Sequence, residues 1–374
     1  LSPYCFNYDD KDFLNHREEV LLIRPKRRKM VKTRSDNSLT DSQKVQAIDT
    51  ETIHKLLGIV VESEFFNSNK ETGITSEEQK NANLYYFLKG LFSSDRFKNF
   101  RFTLTTNGML IDDDVIDFAN REMHNVVLSL DGRKEIHDKW RVDYAGNGSF
   151  DRVVPKFQEL VRRRGNKNYY MRGTFTHSNP DFLKDIDAML ELGFTELSME
   201  PVVCAPSDPS ALTEEDKPVV MKQYELLAEE MLERKRKGKP FTFYHYMIDL
   251  TGGPCIYKRI SGCGSGTEYM AVTPWGDLYP CHQFVGEEKF LLGNIWDGVT
   301  NTKIQDEFRS CNVYARKECT DCWAKLWCSG GCAANAYHAT GKIEGVYDYG
   351  CDLFRKRIEC AIMLKVAEDA ENLK

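Results

Sequence analysis

The 374-residue chain has no apolar run near the ~20 residues that a membrane-spanning helix needs, and residues 1–30 lack the basic, apolar, small-residue order of a secretion signal. Both absences predict a cytoplasmic protein with no membrane partner. Basic excess is absent too: 51 Lys and Arg stand against 57 Asp and Glu, a net charge of −6, which argues against a broadly phosphate-binding surface and so against nucleic acid as a partner. The one basic run, "RPKRRKMVKTR" at 24–34, followed by the polar "SDNSLTDSQK", reads as a solvated face. No internal repeat or low-complexity block occurs.

Cysteine is abundant and unevenly placed. Ten of the twelve cysteines lie after residue 250. A reducing compartment does not keep structural disulfides, so such a cluster there points to metal. The shift in composition predicts a cysteine-rich module at about 250–374.

Between these regions the sequence alternates short apolar runs with amphipathic stretches. "FRFTLTTNG", "NVVLSLDG", "YYMRGTFT" and "ELSMEPVV" read as strands, separated by helices at "DDVIDFANR", "SFDRVVPKFQELVRRRG" and "FLKDIDAMLELG". The charged stretch "EEDKPVVMKQYELLAEEMLERKRKG" closes the run as a long helix. Four such units predict an α/β fold with a parallel sheet or barrel, whose ligands sit at the carboxyl ends of the strands. Residues 1–97 show no clear periodicity, although "KLLGIVV" suits a strand and "EEQKNANLYYFLKGLF" a helix.

"ECTDCWAKLWCSGGC", Glu318 to Cys332, sets four cysteines at C-x2-C-x5-C-x3-C. With Cys255, Cys263, Cys281 and Cys351 they make eight thiols, enough for two four-thiolate sites. Thiolate suits zinc and iron–sulfur clusters alike. Zinc ribbons pair two C-x2-C knuckles, whereas one knuckle followed by x5 and x3 gaps, with Gly330 and Gly331 to let backbone approach a bulky centre, favours the larger cluster. Cys360 reads as a core thiol on a helix, and Cys204 and Cys311 as packing or surface residues.

Taken together, "CGSGTEYMAVTPWGDLYPC" with its G-x4-C element at Gly276 to Cys281, the four-cysteine cluster and the isolated Cys351 resemble the SPASM domain of radical SAM peptide-maturing enzymes. "TTNG", "SLDG…HD…R", "RGT" and "SMEP" are similar to the later strands of the radical SAM partial (β/α) barrel, most closely to maturases of SCIFF peptides. The resemblance covers about residues 98–374. It implies a partial barrel over 98–249, a SPASM domain over 250–374 and a divergent segment at 1–97.

The same resemblance implies two auxiliary [4Fe-4S] clusters: one on Cys255, Cys263, Cys281 and Cys332, the other on Cys319, Cys322, Cys328 and Cys351. Ser129 would contact the S-adenosylmethionine (SAM) carboxylate, with Asn107, Asp131 and Arg172 lining the same cavity. The partners implied are a cysteine-rich precursor peptide, in which thioethers form, and an electron donor such as a flavodoxin or ferredoxin.

One departure is evident. The family binds its SAM-cleaving [4Fe-4S] cluster through C-x3-C-x2-C, which this sequence does not contain, and the "GGEP" element is absent as well. "LSPYCF" matches only the end of that motif, with Cys5 in place and Ser2 where a cysteine is expected. A single thiolate does not hold such a cluster, so SAM and its own cluster are left without these ligands. A truncated maturase is the expectation, ahead of a paralogue retaining only the peptide-binding part or a replaced amino-terminal domain. The rival readings are a sulfatase-maturing type of enzyme that makes formylglycine, with Asp131 or Glu200 as its acid/base, a non-catalytic electron-transfer protein, and a zinc scaffold.

Overall fold

The structure, a computed structural model, describes residues 101–143, 145–248, 256–273 and 275–372. The strand and helix expected within 1–97, and Cys5 and Cys255, lie outside the described residues. The described chain falls into two units: Thr103–Gly264 with Arg309–Lys374, and Ser265–Phe308.

In the first unit the alternating sequence builds a five-stranded, all-parallel sheet in the order β1-β2-β3-β4-β5. β1 is Thr103–Thr106, β2 Asn125–Ser129, β3 Tyr169–Phe175, β4 Glu196–Pro201 and β5 Thr242–Phe243. The intervening helices are α1 (Asp113–Glu122), α2 (Lys134–Trp140), α3 (Phe150–Arg164), α4 (Leu183–Glu191) and α5 (Asp216–Arg236). The four expected strands and four expected helices are all present. α2 and β5 are additions, too short at seven and two residues to impose a period on the sequence.

Side chains alternate across a strand, so the register sorts the sheet into two faces. Leu128, Met171 and Leu197 form one row and are fully buried. Ser129, Arg172 and Ser198 form the neighbouring row, with Thr174 and Glu200 two residues further on. One face is therefore apolar core, and the other carries polar groups towards the carboxyl ends of the strands.

Two close approaches fix the strand-end loops. Gly132, just past β2, sits at φ +101°, and a Cβ there would lie 2.5 Å from the Asp185 Cα, so only glycine lets the turn meet α4. Asp185 is fully buried and accepts from Arg133 N, Arg133 Nε (2.8 Å) and Asn179 Nδ2, while Arg133 also grips Asp181.

The carboxy-terminal helix, α10 (Asp348–Asn372), packs along α5. Val220, Tyr224, Leu227, Ala228 and Leu232 recur at helical spacing and are buried, as are Leu353, Phe354, Ile358, Ala361 and Leu364. Lys217–Asp352, Lys356–Glu225 and Lys235–Glu368 pair across the two helices at 3.0, 3.1 and 2.8 Å. Such exposed pairs contribute less than about 1 kcal/mol each, so apolar burial carries the contact. Cys360 is buried in α10, as expected of a core thiol.

The shorter helices are α6 (Ile256–Ser261), α7 (Thr302–Ser310), α8 (Lys325–Cys328) and α9 (Ala333–Thr340). The second unit is a small antiparallel sheet of four two- or three-residue strands, β6 (Ala271–Val272), β7 (Asp277–Tyr279), β8 (Gly293–Asn294) and β9 (Gly298–Val299). Leu278, Leu292 and Ile295 form its core, and Phe284 packs tilted against Phe290 and edge-on to Phe308, with ring centroids 4.3 and 5.4 Å away. Cys281 is buried directly after β7. Among the described residues no helix is long and apolar enough to cross a membrane.

Candidate metal and strand-end sites

Four of the eight predicted thiols gather in the first unit. Cys319 closes a short 3-10 turn, Cys322 follows it, Cys328 ends α8 and Cys351 lies in the first turn of α10. Burial pushes the Cys328 thiol up to about 11, and the neighbouring Cys319 and Cys322 push it the same way. Burial likewise raises Cys351 to about 12, with Cys328 and Cys319 adding to it, and burial raises Cys319, with Cys322 adding to it. These four groups thus sit within electrostatic reach of one another. Arg355 hydrogen-bonds towards Cys322 and pairs with Asp352, placing a cation at the edge of the quartet.

Among the described residues no three His, Cys, Asp or Glu side chains form a preassembled metal cage. What the quartet does provide is the donor chemistry of an iron–sulfur or zinc centre: four thiols from a loop, a helix end and a second helix, Cys319 buried and the other three half-buried.

The "CSGGC" turn is unusual in backbone. Ser329, Gly330 and Gly331 all take positive φ, at 56°, 82° and 83°, and Ser329 is alone in this among described non-glycine residues. A Cβ on Gly330 would fall 2.7 Å from Arg316 Nη1 and 3.2 Å from Val313 Cα, so this glycine admits a buried arginine. Arg316 in turn donates to the carbonyls of Asn312, Ile343 and Gly345 and reaches Cys311 Sγ at 3.0 Å, locking the loop that leads to Cys319. Cys311 is therefore a packing thiol, in keeping with its sequence context.

The other predicted quartet is spread out. Cys263 is exposed after α6, and Cys332 is half-buried at the start of α9. α6 lies against the turn between α8 and α9: Ser329 Oγ donates to Lys258 O at 3.4 Å, and Arg259 covers the Trp327 ring at 4.6 Å. Cys263 and Cys332 are thus carried on packed neighbours, while Cys281 belongs to the other unit and Cys255 is not described.

At the strand ends, Asn107 is exposed just beyond β1 and accepts from Met109 N in a tight turn. Ser129 ends β2, with Arg172 beside it in register. Asp131 is engaged on both oxygens: it receives Arg141 Nε at 2.6 Å and Arg141 Nη2 at 2.9 Å, and Thr174 N at 3.0 Å. Its carboxylate holds Arg141 rather than standing free.

His137, quoted from sequence within "SLDG…HD…R" but given no role there, supports this group. Asp131 N donates to His137 Nδ1, His137 Nε2 meets Ser149 Oγ at 3.0 Å, and Ser149 Oγ donates to Arg141 O at 2.6 Å. That chain requires neutral imidazole with the proton on Nε2. Burial pushes His137 down to about 4, with the Arg141 charge acting in the same direction. Between pH 6.5 and 4 the unfolded chain binds a proton that the folded chain refuses, so folded stability falls as pH falls through that window. At pH 4.5 relative to 7.5, His137 is expected to cost about 2.5 kcal/mol. Urea midpoints for wild type and His137→Gln at the two pH values check this: the acid loss should shrink in the variant, and an equal loss in both would refute it.

Glu200 contrasts with Asp131. It is buried near the end of β4, and its Oε1 has no hydrogen-bond partner, only His245 Nε2 at 3.4 Å. Burial disfavours the charge, but His245, Arg172 and Arg357 together hold the carboxyl below its ordinary value. His245, in the 3-10 turn after β5, also meets Ser198 Oγ at 3.0 Å, and burial pushes it down to about 3. Of the two carboxylates considered from sequence, Glu200 is the one with a free oxygen on the polar face.

Comparison with known proteins agrees with this architecture. The chain is 27% identical over 255 residues to the cysteine-type anaerobic sulfatase-maturating enzyme of Clostridium novyi, covering 63% of this chain and 65% of that enzyme. It is 27% identical over 280 residues to the Clostridium perfringens enzyme of the same description, covering 67% and 70%. A serine-type anaerobic sulfatase-maturating enzyme of Bacteroides thetaiotaomicron is 24% identical over 275 residues, covering 66% and 64%. The match thus spans just under two thirds of the Clostridium novyi relative. Among solved structures, native anSMEcpe with bound AdoMet superposes with a TM-score of 0.64 at 21% identity, covering 87% of this chain and 90% of that one. The same protein with AdoMet and the Kp18Cys peptide gives 0.60 at 22% identity, covering 79% and 83%. No protein-family model matches the chain. The chain therefore resembles radical SAM/SPASM maturases in sequence and has their fold.

Proposed function

We propose that residues 98–249 and 250–374 are the barrel and SPASM parts of a radical SAM enzyme that oxidises a Cys or Ser side chain of a bound peptide, the rival reading of the sequence, to which the likeness to cysteine-type and serine-type anaerobic sulfatase-maturating enzymes lends support. The likeness to these enzymes over most of the chain carries the proposal and ranks formylglycine formation above the thioether chemistry that the resemblance to SCIFF maturases implied. None of the relatives compared is described as a thioether former.

Cys319, Cys322, Cys328 and Cys351 would hold one auxiliary [4Fe-4S] cluster, and Cys263, Cys281 and Cys332 with Cys255 would serve a second. Bound there, such a cluster supplies one-electron acceptance. The chain's own residues do the rest. Ser129, Arg172 and Asn107 line the carboxyl edge of the sheet where SAM would lie, and Asp131 acts there through the Arg141 it orients. Glu200, with one oxygen unpartnered, would accept the proton of the peptide thiol or hydroxyl. His245 and Ser198 would keep that carboxylate in place. A flavodoxin or ferredoxin would return electrons.

The test uses the protein as its gene encodes it, with SAM, a reductant and cysteine or serine peptides under anaerobic conditions. A product that reacts with a hydrazide is expected, and Glu200→Gln should slow its formation about 100-fold or more, the usual worth of general base catalysis. Loss of peptide thiol with no carbonyl would restore the thioether reading.

A further inference from the structure

Arg316, on the loop that leads into Cys319, is 3% exposed. Its guanidinium donates to Gly345 O and Asn312 O at 3.2 Å, and to Ile343 O and Cys311 Sγ at 3.0 Å. Among the described residues it makes no ion pair. Three of its partners are neutral carbonyls. The fourth, Cys311, donates from Sγ to Ile343 O at 3.2 Å, as a protonated thiol does, and burial raises its pKa despite the neighbouring Arg316. The hydrogen bonds of this guanidinium are met but its charge is not, and a buried cation without a counter-charge is costly.

The backbone around it carries the thiol quartet. Arg316 O accepts from Cys319 N at 3.1 Å. The guanidinium lies so close to Gly330 that a Cβ there would come within 2.7 Å of Nη1, and Gly330 stands midway between Cys328 and Cys332. The charge of Arg316 acts on Cys319 in favour of thiolate. The other charges near the quartet are placed differently. Glu318 and Glu344 act on Cys319 and Cys311, yet both are exposed and neither pairs with Arg316. Asp348 acts on Cys351, and Arg355, beside Cys322, is paired with Asp352. Lys325 acts on Cys319 but is half-buried and donates to Thr320 O. Arg357 acts on Cys328, but it also faces Glu200 and hydrogen-bonds with Tyr224.

We propose, resting on the iron–sulfur reading of the quartet, that Arg316 is the internal counter-charge of the cluster on Cys319, Cys322, Cys328 and Cys351 and raises its reduction potential. A four-thiolate cluster is an anion that becomes more negative on reduction, so a fixed cation beside it favours the reduced form, and burial strengthens the effect. A higher potential makes the cluster a better acceptor of the electron that peptide oxidation releases. Arg316 is a positioning residue: it touches no substrate and acts through the cluster.

The test is a dithionite titration of the anaerobically purified protein against redox mediators, with the reduced clusters followed by electron paramagnetic resonance. At fixed potential, Arg316→Met should lower the reduced-to-oxidised ratio of one cluster at least tenfold, about 59 mV for a one-electron couple, and leave the other cluster unchanged. Arg316→Lys, which loses most of the hydrogen bonds but keeps the charge, should stay within about threefold of wild type. In a Cys328→Ser background, which lacks a donor of the quartet, Arg316→Met should shift nothing. Equal shifts for Lys and Met would assign the effect to loop shape rather than charge and overturn the proposal. An unchanged potential, or a shift that survives in the Cys328→Ser background, would overturn it as well. Arg316→Gln replaces Arg316→Met if that chain does not retain iron, and loss of iron from all three variants would leave Arg316 a folding role only. Wild type holding zinc and no iron would fail the iron–sulfur reading itself, whereas two clusters with no charge-dependent shift would fail this proposal alone.

Discussion

Cys328→Ser will lose one iron–sulfur cluster, about four iron atoms and as many sulfides per chain, while the other cluster remains. The expectation rests on the position of Cys328. It ends α8, is the thiol on which Cys319 and Cys322 both act, and acts in turn on Cys351. Removing it takes away the donor that the other three share. Serine keeps the size and burial, so the fold around α8 should persist, and a circular dichroism spectrum like that of wild type would show it. Cys360→Ser is the control: this thiol is buried among the apolar residues of α10, outside the quartet, and its loss should leave the iron content unchanged. Equal iron loss in both variants would mean that the metal responds to folding rather than to the quartet.

Asp185→Ala is expected to cost about 3–5 kcal/mol of folding stability, enough to leave little folded protein at 37 °C. Asp185 is fully buried, and its two oxygens receive Arg133 N, Arg133 Nε and Nη2, and Asn179 Nδ2. Alanine would strand the Arg133 backbone N–H and the Asn179 amide, and would leave the guanidinium with Asp181 alone. The same loop begins at Gly132 and positions Asp131 and α2, so damage here reaches the strand-end site as well. Urea unfolding measures it directly: a midpoint change worth less than about 1 kcal/mol would show that Arg133 finds water or Asp181 instead.

The parts legible in the sequence were those with a period. β1 to β4 alternate, α3 and α4 recur at helical spacing, and the polar tails of the strands do end where ligands of parallel sheets bind. The two-residue β5 and the seven-residue α2 carry no period; His245, in the turn after β5, meets Ser198 47 residues away, and His137, although quoted in "SLDG…HD…R", gained a role only once its contacts with Asp131 N and Ser149 were seen. Arg357 was hidden differently. The sequence reading assigned it nothing, and the packing of α10 on α5 buries it near Tyr224. Asp131 and Glu200 looked equivalent as strand-end carboxylates until Arg141 and Thr174 were seen to occupy the first. The cysteine pattern pointed to a four-thiolate module, and the family resemblance pointed to thioether formers, where sequence and fold lie closer to sulfatase-maturating enzymes.

The central claim is that the cysteine-rich module holds iron–sulfur clusters on a radical SAM scaffold. Iron, acid-labile sulfide and zinc measured together on the anaerobically purified chain test it most directly. About eight iron and eight sulfide per chain, with Mössbauer parameters of [4Fe-4S] centres, are predicted. Stoichiometric zinc with no sulfide would contradict it.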